Sequence, residues 1–330
     1  MPDHDIKNAG THDSSTIGGR PNPRETTKTP TSTVSQSNTN IIAILAMIGS
    51  AACWGGATVM SRDLLDDFAA PTLLVVQLTA SVITLILLSI PHRPWQYVSP
   101  TLGKASLTGI LEPGLTYSVG LWGLSLTSAG SASIIGSTEP VFIVLIAWFL
   151  FGSRPSRKLA ICILIAVLGL LLVSHDSSAG NTNKSLTGDL LIVLATLFAA
   201  SYVVFSAKWA DQFPAAVLAS AQQLIGLSCA VAIYVVALMT GVISQTPSDL
   251  SWGALIYASV SGIVQYALAF WLYLIGLKYL SPGTAGLWLT LIPVFGVAGA
   301  YFWLGEIPTV MMLLGMGVIV AAVILGRLEK

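Results

Sequence analysis

Ten apolar runs follow one another along the chain, separated by short polar stretches. They cover residues 41–61, 70–90, 105–125, 128–151, 158–174, 188–208, 215–242, 252–277, 281–304 and 308–326. A helix that crosses the hydrocarbon of a bilayer needs about 20 apolar residues, and each run supplies close to that length. The runs are continuous rather than alternating, which predicts helices and fits a β-barrel poorly. Residues 1–40 differ: they hold Ser, Thr, Asn, Gly and Pro and few large apolar side chains. Such a segment cannot offset its ordering entropy by burial and is expected to be disordered. The first apolar run begins too far along the chain, and is too long, for a secretory signal. The pattern predicts an all-α membrane protein of ten transmembrane helices behind a disordered tail.

The basic residues orient the helices. With the N-terminus inside, thirteen of the fifteen Lys and Arg fall in the tail, in the inner loops or at the C-terminus, and only Arg62 and Lys184 fall outside. Cytoplasmic loops carry this excess, so both termini are expected in the cytoplasm and the protein in the cell membrane. Trp148, Trp209, Trp252 and Trp303 stand near run ends, where an amphipathic ring favours the membrane interface.

An internal repeat gives the order of the helices a meaning. Residues 106–152 align with 259–305 without a gap, with 17 identities in 47 positions. Shared apolar composition explains part of this, but Gly109/Gly262, Gly123/Gly276, Gly130/Gly283, Pro140/Pro293 and Gly152/Gly305 also coincide. Five runs separate the two copies, an odd number, so the copies must cross the membrane in opposite senses. The loops agree: Arg154, Arg157 and Lys158 follow the first copy, whereas Glu306-Ile307-Pro308-Thr309 follows the second without a basic residue. Inverted repeats are characteristic of secondary transporters, in which one site opens alternately to either face. The halves are expected over 41–175 and 187–326, five helices each.

The punctuation residues resemble a known family. Trp54-Gly55-Gly56, Pro71 at the start of the second run, and Ser128-Ala129-Gly130-Ser131-Ala132 resemble the EamA domain of the drug/metabolite transporter superfamily. So do the Pro-Val-Phe triplets at Pro140 and Pro293 and the Leu304-Gly305-Glu306 exit. The resemblance covers about 41–326. It implies ten helices around a central cavity and export of amino acids, metabolites or drug-like compounds. Two departures stand out. The family's Gly-Glu exit is Gly152-Ser153 in the first half, and Gln77 replaces a basic residue often seen in the second helix, which argues against an anionic substrate.

Only Glu112 and Glu139 are ionisable residues well inside the runs. A charge at the bilayer centre costs about 3 kcal/mol on insertion scales, so such residues line cavities or pair. Counted from the turn near Leu126-Thr127, both lie roughly 20 Å below the outer end at 1.5 Å per residue. At one depth on neighbouring helices they could share a proton. A structural alternative for Glu139 is hydrogen bonding to the carbonyl of Gly136, freed at a Pro140 kink. Its repeat partner before Pro293 is Ile292, so the kink does not require a carboxylate. The partner of Glu112 is Gln265. The row Thr108, Glu112, Thr116, Gly120 maps onto Ser261, Gln265, Ala269, Tyr273 and is read either as a cavity face or as a close helix contact. Gln77 and Gln222 are further cavity candidates, though of the pair Gln222-Gln223 at most one can face a cavity. Trp54, Tyr202 and Trp288 either stack a solute or pack the core.

Composition closes other routes. Charged residues make up 9% of the chain, against about 25% in soluble domains, and the mean hydropathy is +0.78. No basic run exceeds Arg157-Lys158, so no nucleic-acid footprint is present. Cys53, Cys162 and Cys229 are odd in number, widely spaced and apolar in setting, which argues against a disulfide framework or a metal site. His4, His12, His92 and His175 all fall in the tail or loops. No cofactor is expected. The expected partners are a small-molecule solute and lipid, and the reading requires no more than a monomer. The leading reading is a secondary transporter that exports small neutral, zwitterionic or cationic metabolites by alternating access, with proton coupling open through Glu112 or Glu139. An uptake permease of the same fold is the alternative. An intramembrane enzyme would need a nucleophile–base pair, a metal cluster or an Asp dyad, and a passive channel would show charge rings or a filter repeat; none is visible.

Overall fold

The computed structural model describes residues 32–65, 67–126, 135, 136, 138–175, 186–244, 246, 250–305 and 307–326. Among these residues every regular element is helical. The elements are α1 (Ser32–Leu64), α2 (Ala70–Ser89), α3 (Pro100–Ser106), α4 (Thr116–Leu126), α5 (Glu139–Phe151), α6 (Arg157–His175) and α7 (Leu186–Ala207). They continue as α8 (Ala215–Met239), α9 (Trp252–Gly262), α10 (Ala269–Leu277), α11 (Pro282–Leu289), α12 (Ile292–Leu304) and α13 (Val310–Gly326). Six helical stretches are long and apolar enough to cross a membrane: Ile41–Ser61, Ala70–His92, Leu186–Ala207, Ala215–Met239, Trp252–Leu277 and Pro282–Trp303. α5 and α13 are apolar but shorter. The chain is a multi-pass membrane protein, and its large exposed side chains suit lipid: Phe149 is 82% exposed and its repeat partner Phe302 83%.

α1 begins at Ser32, nine residues ahead of the apolar run at Ile41. Extending an existing helix adds one hydrogen bond for each residue fixed, whereas nucleation is the costly step, so an anchored apolar helix readily propagates into polar sequence. Residues 1–31 of the expected 1–40 tail lie outside the described residues, as do 127–134, where the hairpin turn is expected.

Among the described residues three interruptions divide the expected continuous helices into separate elements, and two of them repeat. A π-helical segment covers Ile110–Leu115 between α3 and α4, and another covers Ile263–Leu268 between α9 and α10. Both stand at the same place in the 153-residue repeat. A π-turn inserts one extra residue into the helical ladder and so rotates the side chains on either side of it relative to one another. The third interruption is at Thr290-Leu291, between α11 and α12. Pro293 is then the second residue of α12, as Pro140 is of α5. At a helix start proline costs nothing, because the missing N–H has no intrahelical partner there. Pro140 and Pro293 therefore open helices rather than kink them from within. α5 and α12 also end alike: Gly152 at φ 66° and Gly305 at φ 70° take the left-handed conformation that glycine adopts without strain.

The two repeat stretches interleave. α1 packs on α10 and α12, and α2 on α9 and the second π-segment; conversely α7 packs on α4 and α5, and α8 on α3 and the first π-segment. The last helices of the two stretches, α6 and α13, pack on each other. Each π-segment is thereby gripped by the second helix of the other stretch.

Candidate functional site

A cavity of about 160 Å³ lies between the two stretches. Trp54 and Thr58 reach it from α1, Tyr117 from α4, Tyr202 and Val203 from α7, Tyr273 from α10 and Leu289 from the end of α11. Two pairs of repeat equivalents complete it. Glu112 and Gln265 come from the two π-segments, and Glu139 and Ile292 are the first residues of α5 and α12. One wall therefore carries two carboxylates, and the equivalent wall carries an amide and an aliphatic chain.

The backbone explains how Glu112 reaches the cavity. It has extended torsions (φ −144°, ψ 126°) within the first π-segment, which breaks the helical register at that residue. Its carboxylate is buried, 9% exposed, lies beside the Tyr117 hydroxyl and is close enough to Glu139 for the two to repel. Among the described residues no Lys, Arg or His lines the cavity. A pair of carboxylates without a fixed countercharge makes the site electronegative, and burial of unpaired charge is costly. The arrangement suits a cation or a proton as the neutralising partner.

Much of the remaining wall is aromatic, with Thr58, Val203 and Leu289 beside the rings. Trp54 meets Phe270 and Tyr273 edge-on, with centroids 4.9 and 5.6 Å apart. Tyr202 meets Phe270 at 5.5 Å and Tyr117 meets Tyr266 at 5.1 Å. Among the described residues the Tyr273 hydroxyl has no hydrogen-bond partner, and the Trp54 indole N–H lies beside the Tyr117 hydroxyl. Ring faces attract cations, and these donors add places where a polar solute can bind.

Of the residues proposed from sequence, Trp54, Glu112, Glu139, Tyr202 and Gln265 come together here. Gln77, Gln222 and Trp288 do not line this cavity. Gln77 and Gln222 are 2% and 1% exposed and spend their amides on hydroxyls between helices. Trp288 borders a separate apolar pocket with Ile44, Ile48 and Phe295. The row through Thr108, Glu112, Thr116 and Gly120 does not form one face. Thr108 binds Gln222 at 2.7 Å and Thr116 binds the Leu111 carbonyl at 2.9 Å, while Gly120 packs on Ala195. The π-segment and the extended Glu112 turn that one residue away from its neighbours. Sequence reasoning missed Tyr117 and Thr58 as wall residues and gave Tyr273 no role beyond its place in the repeat. Three tyrosines, Tyr117, Tyr202 and Tyr273, on otherwise apolar helices were the available signal.

A multi-pass helical bundle with a polar cavity between two repeat stretches has the construction of a solute transporter. Residues 41–175 and 186–327 each match the EamA-like transporter family, and the chain belongs to it. Several curated relatives carry transporter or exporter names. The uncharacterized transporter YetK of Bacillus subtilis is 25% identical over 67% of this chain and 66% of its own length. A probable terminal-alkyne amino-acid exporter of Streptantibioticus cattleyicolor is 24% identical over 86% and 92%. The WAT1-related protein At3g02690, chloroplastic, of Arabidopsis thaliana is 32% identical over 62% and 49%. The chain thus spans just under two thirds of YetK, and 63% of the Bacillus subtilis transporter YdfC. One solved crystal structure has a TM-score of 0.70 at 18% identity, covering 89% of this chain and 99% of that one; it shares the fold.

Proposed function

We propose that the protein is a secondary transporter of the cell membrane that exports small metabolites by alternating access between two inverted five-helix halves, with both termini cytoplasmic. The observation that carries this reading is the single cavity to which the repeat-equivalent pairs Glu112/Gln265 and Glu139/Ile292 contribute. Among neutral, zwitterionic and cationic solutes, the two carboxylates and the aromatic walls favour one with a positively charged amine. The size favours a metabolite: about 160 Å³ is below the roughly 300–1,000 Å³ of sites for drug-sized ligands. The same geometry supports proton coupling through the carboxylates.

A zwitterionic amino acid is the second reading. The N-terminus of α12 opens at Ile292 on the cavity wall, and a helix N-terminus favours a carboxylate. The amine would then face Glu112 and Glu139. The name of the Streptantibioticus relative, an amino-acid exporter, supports this choice.

The test is counterflow in proteoliposomes with labelled amines, amino acids, neutral sugars and carboxylate anions. Amines or amino acids should exchange and saturate. Exchange confined to anions would overturn the electronegative-site reading, and flux that never saturates would point to a channel.

A further inference from the structure

The two π-segments are held by the same contact, made twice. Gln77 Nε2 donates to Ser61 Oγ at 2.9 Å and to Ser261 Oγ at 2.8 Å. Gln222 Nε2 donates to Ser206 Oγ at 3.0 Å and to Thr108 Oγ1 at 2.7 Å. Ser61 and Ser206 are 145 residues apart, as are Gln77 and Gln222, while Thr108 and Ser261 follow the 153-residue spacing. The backbone repeats the contact. A Cβ at Gly109 would fall on the carbonyl of Gln222, and a Cβ at Gly262 on the backbone of Gln77.

The copies differ in one member. Ser61 Oγ in turn donates to Gln265 Oε1 at 2.7 Å, which ties that π-segment to α1. No hydrogen bond joins the corresponding described pair, Ser206 and Glu112. Glu112 has turned into the cavity on extended backbone, and Gln222 Oε1 accepts from the Tyr202 hydroxyl at 3.2 Å.

We propose that these clasps are reciprocal latches: the Ser61–Gln265 latch is closed and the Ser206–Glu112 latch open in this state, and transport exchanges them. In the opposite state Ser206 donates to Glu112, and Gln265 is released into the cavity. The inference rests on the alternating-access reading above. A hydroxyl that donates to an amide oxygen donates equally well to a carboxyl oxygen, so the exchange needs no change of donor sense. The costs differ. Gln265 is neutral, whereas Glu112 would carry its charge to a fully buried serine, which is unfavourable unless a proton or a bound cation neutralises it. The groups facing Glu112 are Glu139 on α5, Tyr117 on α4, Tyr202 on α7, Tyr266 on the second π-segment and Tyr273 on α10; none is a cation. Closure of that latch is therefore tied to what the cavity holds.

The experiment uses full-length protein in proteoliposomes, with Cys53, Cys162 and Cys229 replaced by Ser and Thr58→Cys as a reporter in the cavity. An impermeant methanethiosulfonate is added to one face at a time. Ser61→Ala should shift the ratio of labelling rates toward one face and Ser206→Ala toward the other, each by about two- to tenfold, as expected for one hydrogen bond. The double variant should return toward the parent ratio. Ser61→Thr and Ser206→Thr keep the hydroxyl and should behave as the parent. Shifts in the same direction, or none, in a parent that labels from both faces would overturn the latches alone. A parent that labels from one face only, with and without an amine solute, would overturn the alternating-access reading and the latches with it.

Discussion

Glu112 and Gln265 occupy the same turn of two equivalent π-segments 153 residues apart, and both line one cavity. One is free to face Glu139; the other accepts a hydrogen bond from Ser61 at 2.7 Å. The same backbone device thus presents a carboxylate from one stretch and an amide from the other.

Gln265→Leu should reduce transport while leaving the amount of folded protein unchanged. The variant keeps the volume but removes the acceptor for Ser61 and, among the described residues, the one amide on the cavity wall. Ser61 can still accept from Gln77, so the lost bond should cost about 1 kcal/mol of stability. The measurement is initial exchange rate per folded molecule in proteoliposomes. A folded variant with unchanged rate and affinity would make Gln265 a packing residue.

The Glu112–Gln265 relationship was legible in the sequence because glycine and proline punctuation aligned the copies. Each of the ten apolar runs carries a helix, and the gap-free alignment of 106–152 with 259–305 reappears as matching π-segments, helix starts and glycine caps. The π-segments themselves were not legible: nothing in the composition of Ile263–Leu268 distinguishes it from helix. That concealed turn is why the Thr108–Gly120 row read as one face. Gln77 and Gln222 read as cavity residues because a polar side chain in lipid needs a partner, and sequence does not show whether that partner is a solute or a serine on another helix.

Ala at Gly109 or at Gly262 should destabilise the protein sharply. At each position a Cβ would fall on backbone of the helix that grips the π-segment, and backbone cannot move aside as a side-chain tip can. Overpacking of this kind costs about 1–3 kcal/mol. Gly56→Ala is the control, since a Cβ there meets nothing within 4 Å. Thermal unfolding in detergent should rank Gly56→Ala near the parent and both others well below it. Equal stability of all three would show that the interface is looser than described.

Topology can be read with two single cysteines in a background lacking Cys53, Cys162 and Cys229. Val98, between α2 and α3, is 79% exposed, and Val242, just past α8, is 76% exposed. With both termini cytoplasmic, Val242→Cys should react with an impermeant thiol reagent on intact cells, and Val98→Cys only after permeabilisation. The reverse pattern would invert the orientation. Residues 245 and 247–249 lie outside the described residues, which makes Val242 the better position.

Glu139→Gln bears on coupling. Glu139 is the first residue of α5 and lies on the cavity wall near Glu112, while its repeat partner Ile292 starts α12 without a polar side chain. A helix start followed by proline therefore does not need a carboxylate, and an acidic residue at a helix N-terminus adds only about 0.3–1 kcal/mol. Holding a charge within the membrane costs more than that, about 3 kcal/mol, so capping does not account for Glu139. The acid is instead expected to carry a proton or the amine of the solute. Gln keeps the size and the hydrogen bonds but cannot titrate. The variant should insert and fold, exchange solute across the bilayer, and lose accumulation driven by a proton gradient. Its transport should also lose the pH dependence that the parent shows. Both proteins are compared in proteoliposomes at several pH values, with and without an imposed gradient. Matching pH profiles and matching accumulation would reduce Glu139 to a polar group at a helix start and leave Glu112 as the sole candidate for coupling.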